Sequence, residues 1–508
     1  MSQAVRRAGV LLHPTSLPGP GGCGTFGEVA HSWIQLLGRH RIGVWQLLPL
    51  APTDGTGSPY SSPSGSALNP WFLDAIALEC QGYLSQDERL GLPAPGESGR
   101  LDPSLQGQRS DALAAALARC WPHQSQQRQR AFRRWKRRQS YWLRDHSRFM
   151  VLRRLHGGLP WWQWPVPLAQ RHGAALRRFD RQHHHLLLEE DLLQWHLQAQ
   201  WQALRQTARQ QGVSLFGDLP FYVAHDSADV WSHPRLFSLG KAGTLVEQSG
   251  VPPDYFAATG QLWGTPVYRW GRHQASGFRW WLGRLSRQLQ LFDLLRLDHF
   301  RALQAYWSVP GSDETAEHGC WQPSPGLALL GCLWLHQALR GRLRGGRLAL
   351  VAEDLGVITP AVEALRDRFG LPGMKILQFA FDGNPANPYL PANIQGSRWV
   401  VYTGTHDNAT AIGWWQGLDP DSRQRVEQLL EARITAPGWQ LLELALASPA
   451  ELAVVPLQDL LELDDGARFN TPGTLGSNWS WRLLDAIETL EGPLQGYGEL
   501  ARRHNRMA

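Results

Sequence analysis

Cysteine is scarce in this chain: Cys23, Cys80, Cys120, Cys320 and Cys332 are five in 508 residues, and no two form a Cys-x-x-Cys pair. An odd and scattered set argues against a disulfide framework and a cysteine zinc site, and fits reduced thiols. No apolar run approaches the roughly 18 residues of a membrane span. The first residues run without a targeting pattern into strand-like Val10-Leu11-Leu12, so a cytoplasmic protein with no membrane partner is expected. A repeat of solenoid period and a low-complexity linker are also missing, which leaves residues 1–508 as one unit. Disorder is excluded by the balance of 43% apolar and 19% charged residues.

The charge is weakly positive, +6, and concentrated in Arg128 to Arg138, which holds seven basic residues. A nucleic-acid surface is one reading of that run. Phe132, Trp135, Tyr141 and Trp142 interleave it, however, and a solvated helix with an apolar stripe explains the pattern more simply. No nucleic-acid partner is therefore expected. His183-His184-His185 are adjacent, and adjacent helical residues do not share a face, so no metal site is expected there either.

Eight short apolar runs read as strands: Val10–Leu12, Val44–Leu48, Val213–Phe216, Leu294–Leu297, Leu348–Val351, Met374–Phe379, Trp399–Tyr402 and Leu452–Val455. Helix-like segments separate most of them: Ser32–Arg39, Leu186–Gln210, Phe278–Leu291, Gly326–Leu343, Pro360–Phe369 and Asp421–Ile434. This alternation predicts an α/β fold, a (β/α)8 barrel. Two long gaps predict insertions around its catalytic face, a polar helical subdomain over about 70–182 and a Gly-, Pro- and aromatic-rich cleft loop over about 223–274. Three acids stand just past strand ends: Asp298 after Leu294–Leu297, Glu353 after Leu348–Ala352, and Asp407 after Trp399–Tyr402. Functional groups of such barrels lie at the carboxyl ends of the strands, so these acids converge. Two or three converging carboxylates suggest glycoside chemistry, although any one of them alone is more often a helix cap or an ion-pair partner.

Longer motifs point to a family. Gly9-Val10-Leu11-Leu12-His13-Pro14-Thr15-Ser16-Leu17-Pro18, Ser58-Pro59-Tyr60-Ser61, Phe216-Gly217-Asp218-Leu219-Pro220, Gly250-Val251-Pro252-Pro253-Asp254-Tyr255-Phe256 and Thr259-Gly260-Gln261-Leu262-Trp263-Gly264 lead the series. Arg296-Leu297-Asp298-His299-Phe300-Arg301, Ala352-Glu353-Asp354-Leu355-Gly356, Thr405-His406-Asp407-Asn408, Asn470-Thr471-Pro472-Gly473-Thr474 and Asn478-Trp479-Ser480-Trp481-Arg482 complete it. Together they resemble the amylomaltases, the 4-α-glucanotransferases or disproportionating enzymes, relatives of the α-amylase class of retaining enzymes.

The resemblance implies transfer of α-1,4-glucan segments between maltooligosaccharides and α-1,4-glucans, with no cofactor and no metal. It places the nucleophile at Asp298, the general acid/base at Glu353, and at Asp407 a carboxylate gripping sugar hydroxyls. Arg296, on the same side of the strand as Asp298, is expected to hold that carboxylate ionised, while burial and nearby negative charge are expected to raise the pKa of Glu353. By resemblance, substrate is bound by Ser58, Tyr60, Asp218, Tyr255, Phe256, Trp263, Arg296, His406 and Asn478, with Tyr255 and Phe256 in a loop that shields the intermediate from water. Some alternatives stay open. Asp218 is a substrate ligand or a helix cap, Asp354 a structural group, and His406 a sugar contact or a buried structural histidine. His13 and His299 are undecided between ligand contact and strand-end hydrogen bonding. An α-glucan hydrolase with the same acids is the runner-up activity, and a catalytically silent glucan-binding protein is the rival from another class.

Overall fold

The apolar runs pair in parallel into one sheet. In the computed structural model, which describes residues 6–96, 98–253, 258–474 and 476–506, eight strands are formed: β1 (Arg7–Leu11), β2 (Val44–Gln46), β3 (Ser214–Leu219), β4 (Leu294–Leu297), β5 (Leu350–Ala352), β6 (Gly373–Ile376), β7 (Trp399–Tyr402) and β8 (Leu452–Pro456). Their order is β6-β7-β8-β1-β2-β3-β4-β5, every neighbouring pair parallel. The Ala352 N–H donates to the Pro372 carbonyl at 2.8 Å, which brings the free edge of β5 against the start of β6 and nearly closes the barrel. Strands covered on both faces are largely apolar, and Leu452–Pro456 is buried at every residue.

The expected helices are all present within a few residues of their predicted limits: Glu28–Arg39, His184–Gln210, Arg279–Leu291, Gly326–Ala338, Pro360–Arg368 and Pro420–Leu430. Proline at the first turn sets the start of the last two, where its missing N–H costs nothing. Asp419 also accepts from Ser422 N at 2.9 Å, satisfying an unpaired donor. Between β2 and β3 the chain forms a run of helices that includes Pro103–Cys120, Gln126–Arg138 and Leu143–Leu155. In Gln126–Arg138 only Phe132 is buried, against Trp121 and Trp195, with Trp135 half-buried beside it, and every arginine but Arg128 is exposed. The predicted apolar stripe is narrower than expected, since Tyr141 and Trp142 lie beyond the helix and Tyr141 is exposed.

Two features differ from expectation. Met374–Phe379 is not one strand: β6 stops at Ile376 and Leu377–Phe379 turns as a 3-10 helix. That turn sends the Gln378 side chain across to the Ala409 carbonyl, 2.9 Å away, so β6 braces the segment after β7. The region 223–274 is also more than a cleft loop. Glu247–Val251 and Gln261–Pro266 pair antiparallel, and Ala305–Pro310 and Cys320–Pro323 join them in a second, four-stranded sheet. Its strands come from the connections after β3 and β4, which places it over the carboxyl ends of the barrel strands.

Close packing at the barrel wall depends on Gly217 in β3. A Cβ there would meet the Phe292 ring at 2.3 Å, and Phe292 is itself buried against Trp201. Gly217→Ala is expected to lower stability by about 1–3 kcal/mol through overpacking. Chemical denaturation measures it; an unchanged midpoint would mean that the Phe292 ring moves aside freely.

Candidate active site

Asp298 is the first residue past β4, and its N–H bonds the Leu219 carbonyl of β3 at 3.0 Å, so the chain has not yet left the barrel wall. Two residues earlier on the same side of the strand lies Arg296. Its guanidinium is almost wholly buried and forks between two carboxylates: Nη2 is 2.9 Å from Asp298 Oδ1 and Nη1 is 2.6 Å from Asp218 Oδ2. Burial alone would lower the Arg296 pKa, but Asp218 and Asp298 outweigh it and hold the group charged. Asp218 lies within β3 and caps no helix. Burial pushes its carboxyl pKa up, Arg296 opposes this, and its Oδ1 is buried without a partner.

Glu353 begins the segment after β5. Its Oε2 accepts from the His299 N–H at 2.7 Å and its Oε1 from the Leu355 N–H at 3.0 Å. The first bond exists because His299 is left-handed, with φ at 50°, which turns its amide toward Glu353. A non-glycine residue held in that region is strained, a condition that tends to persist at functional sites. Glu353 is thereby tied to the residue directly after Asp298. Burial pushes the Glu353 carboxyl up to about 8; Arg296 works against this, and Asp298 and Asp354 add to it. Asp354 takes the structural part: it is buried, pairs with Arg366, and accepts from Met374 N at 2.7 Å.

Asp407 is set in a braced loop. Thr405 N and Oγ1 donate to Asn408 Oδ1 at 2.9 and 2.7 Å, and below them the buried Asp459 accepts from Thr403 Oγ1 at 2.6 Å and Ala411 N at 2.7 Å. Asn470 Nδ2 holds Asp407 Oδ1 at 2.7 Å, and Arg468 binds the Asp407 carbonyl at 2.7 Å. Neither Asn470 nor Arg468 was singled out from the sequence, although Asn470 opens one of the quoted motifs. The other carboxylate oxygen lies 3.3 Å from His406 Nε2.

Tyr60 connects the two halves of the site. Its hydroxyl donates to Asp218 Oδ2 at 2.6 Å and lies 2.9 Å from His406 Nε2, with the two rings stacked at 5.3 Å. Burial, then Asp218, raise its pKa well above the usual phenol value, so it remains a donor. Trp479, absent from the sequence-based site, packs 5.7 Å from Tyr60 and 6.0 Å from His406. Its place beside Asn478 in a quoted motif was the available signal.

The remaining expected residues divide. Trp263, on the second sheet, stands edge-on to His299 at 4.9 Å and is 37% exposed, so it faces the turn that carries Asp298. Ser58 Oγ accepts from Tyr60 N at 3.3 Å, shaping the turn that presents Tyr60. Asn478 is occupied in its own loop, its Oδ1 accepting from Thr471 N at 3.0 Å and its Nδ2 donating to the Thr474 carbonyl at 3.0 Å. Tyr255 and Phe256 lie outside the described residues. His13 is buried with Nδ1 unpartnered, and burial followed by His406 lowers its pKa to about 3. Burial lowers His299 to about 4, against the opposing pull of Asp298. Both rings are therefore neutral near neutral pH. Among the described residues no group of three or more His, Cys, Asp or Glu is arranged to hold a metal ion.

An arginine-paired carboxylate close to a carboxyl whose pKa is raised is an arrangement that can offer a nucleophile and a proton donor, the pair that displacement at an acetal carbon requires. Known proteins agree with that chemistry. A family model described as 4-alpha-glucanotransferase matches residues 12–487. The chain is 44% identical over 481 residues to a 4-alpha-glucanotransferase of Synechocystis sp., covering 94% of each chain. It is 43% identical over 487 residues to that of Thermus thermophilus, covering 94% of this chain and 95% of the other. Amylomaltase from Streptococcus agalactiae, solved in complex with acarbose, superposes with a TM-score of 0.92 at 30% identity, covering 99% of this chain and all of that one. The chain belongs to the 4-alpha-glucanotransferase family and is an enzyme of that activity.

Proposed function

We propose that the enzyme moves α-1,4-glucan segments to the 4-hydroxyl of glucose or another glucan by two displacements through a covalent intermediate on Asp298. Glu353 protonates the departing glycosidic oxygen, and in the second step takes a proton from the entering 4-hydroxyl. Asp407 grips ring hydroxyls as the sugar flattens toward the transition state, and the free Oδ1 of Asp218 accepts from another hydroxyl. Maltooligosaccharides are the partners, and the cytoplasm is the compartment where such donors and reduced thiols coexist. The observation that carries the reading is the coupling of the two acids: Glu353 is bonded to the amide directly after Asp298, while Asp298 is paired with Arg296. A retaining enzyme holds the two carboxyl groups about 5–5.5 Å apart. Asp298 and Glu353 are expected at that separation, which leaves too little room beside a bound sugar for the water of an inverting mechanism.

Incubation with maltotriose tests this. Transfer gives a ladder of longer oligosaccharides with released glucose; shorter sugars alone would mean hydrolysis. Transfer also requires that water be kept from the intermediate. By sequence resemblance Tyr255 and Phe256 provide that shield, so replacing both with Ala should raise glucose and reducing-end release relative to ladder products several-fold, with the three acids unchanged. An unchanged ratio removes these two side chains from the mechanism.

A further inference from the structure

The opposite end of the barrel carries a second recess. It is a cleft of about 730 Å³ bordered by Asp293, directly before β4, and Ala349, directly before β5, whereas Asp298 and Glu353 stand directly after those strands. Seven arginines line it and Asp293 is the one carboxylate among the lining residues. The excess positive charge in this recess thus equals the +6 of the whole chain. Asp293 is already engaged by Arg205 Nη2 at 2.9 Å and Arg344 Nη2 at 3.5 Å. Arg287, buried, has only neutral acceptors: the Ser66 carbonyl at 2.9 Å and Gln198 Oε1 at 2.7 Å. Arg134, Arg138, Arg209 and Arg342 form no ion pair among the described residues.

Three buried atoms on residues lining the cleft have no hydrogen-bond partner: Arg205 Nε, Trp135 Nε1 and Gln337 Nε2, the last on a side chain of a residue 2% exposed. All three are donors. A buried donor without an acceptor is costly, and a recess whose unsatisfied groups are all donors under excess positive charge matches a ligand that only accepts. Phosphate groups do this, and arginine forks suit them. Burial depresses the Arg205 pKa, and Arg209 and Arg344 depress it further despite Asp293, so the crowding of cations is felt within the cleft. The recess is concave and within the size range of small-molecule sites, unlike the extended surface along which a nucleic acid lies.

We propose that this cleft binds a small metabolite carrying a di- or triphosphate chain, at a site separate from the catalytic cleft. Titration calorimetry on the full-length enzyme, with sodium tripolyphosphate, ATP and sulfate at matched ionic strength, tests it. Tripolyphosphate is expected to bind at least about tenfold more tightly than sulfate, since several charge-assisted bonds replace one or two. Equal affinity for ATP assigns recognition to the phosphate chain alone; tighter binding of ATP adds contacts to the nucleoside, and both outcomes support the site. Arg138→Gln with Arg342→Gln, both exposed and unpaired, should weaken tripolyphosphate by about tenfold or more while transfer from maltotriose in its absence is unchanged. Arg209→Gln provides an independent variant should that pair perturb folding. Binding no tighter than sulfate, unchanged affinity in well-folded variants, or capture of an RNA oligonucleotide that tripolyphosphate does not displace would overturn the proposal.

Discussion

Asp298→Asn is expected to lose transfer from maltotriose by on the order of 10^4-fold or more, the scale on which an enzyme loses rate when its nucleophile is removed. An amide is close to the carboxylate in shape, so the Arg296 Nη2 contact at 2.9 Å can be kept in part while the proposed nucleophile is gone. Substrate affinity should then change far less than turnover. Activity and maltotriose binding measured on the same preparation separate the two. If Asp298→Asn kept transfer within tenfold of the parent enzyme, the covalent step would have to be placed elsewhere.

Glu353→Gln is expected to slow transfer from maltotriose by about 10²–10⁴-fold, the usual contribution of a positioned general acid. An α-glycosyl fluoride needs little protonation of its leaving group, so formation of the intermediate from it should be spared. Because burial raises Glu353 to about 8, the carboxyl is in its acid form at neutral pH. The rate with maltotriose is therefore expected to fall as pH rises through that value. In Glu353→Gln with the fluoride donor that alkaline limb should vanish. Equal losses with both donors, or a limb that persists in the variant, would exclude Glu353 as the acid.

All eight barrel strands were legible in the sequence, within a few residues of their limits, because strands buried on both faces are largely apolar, and Val400-Val401 or Val454-Val455 fit little else. The acids were legible for a related reason, since each breaks an apolar run where the barrel wall ends. The second sheet was not. Glu247–Val251 reads Glu-Gln-Ser-Gly-Val and Gln261–Pro266 is largely exposed, so neither segment carries apolar alternation; pairing with each other and with Ala305–Pro310 makes them strands. The support of Asp407 escaped for a different reason: Asn470 lies 63 residues further along the chain, and no local pattern links an Asn to a distant carboxylate. Arg134 and Arg138 fit a solvated helix face when only their own helix is considered. Their meaning changes once folding brings Arg205, Arg209 and Arg342 to the same recess. Asn478 shows the converse, a motif residue whose amide is spent on its own loop.

The retaining mechanism on Asp298 is tested most directly by trapping. Glu353→Gln is incubated with an α-maltotriosyl fluoride whose non-reducing end is blocked against use as an acceptor, and the protein is then digested and its peptides weighed. The peptide containing Asp298 should gain the mass of the transferred sugar, and the same treatment of Asp298→Asn should leave it unlabelled. Turnover of the fluoride without a labelled peptide, or a label on any other residue, would contradict the assignment.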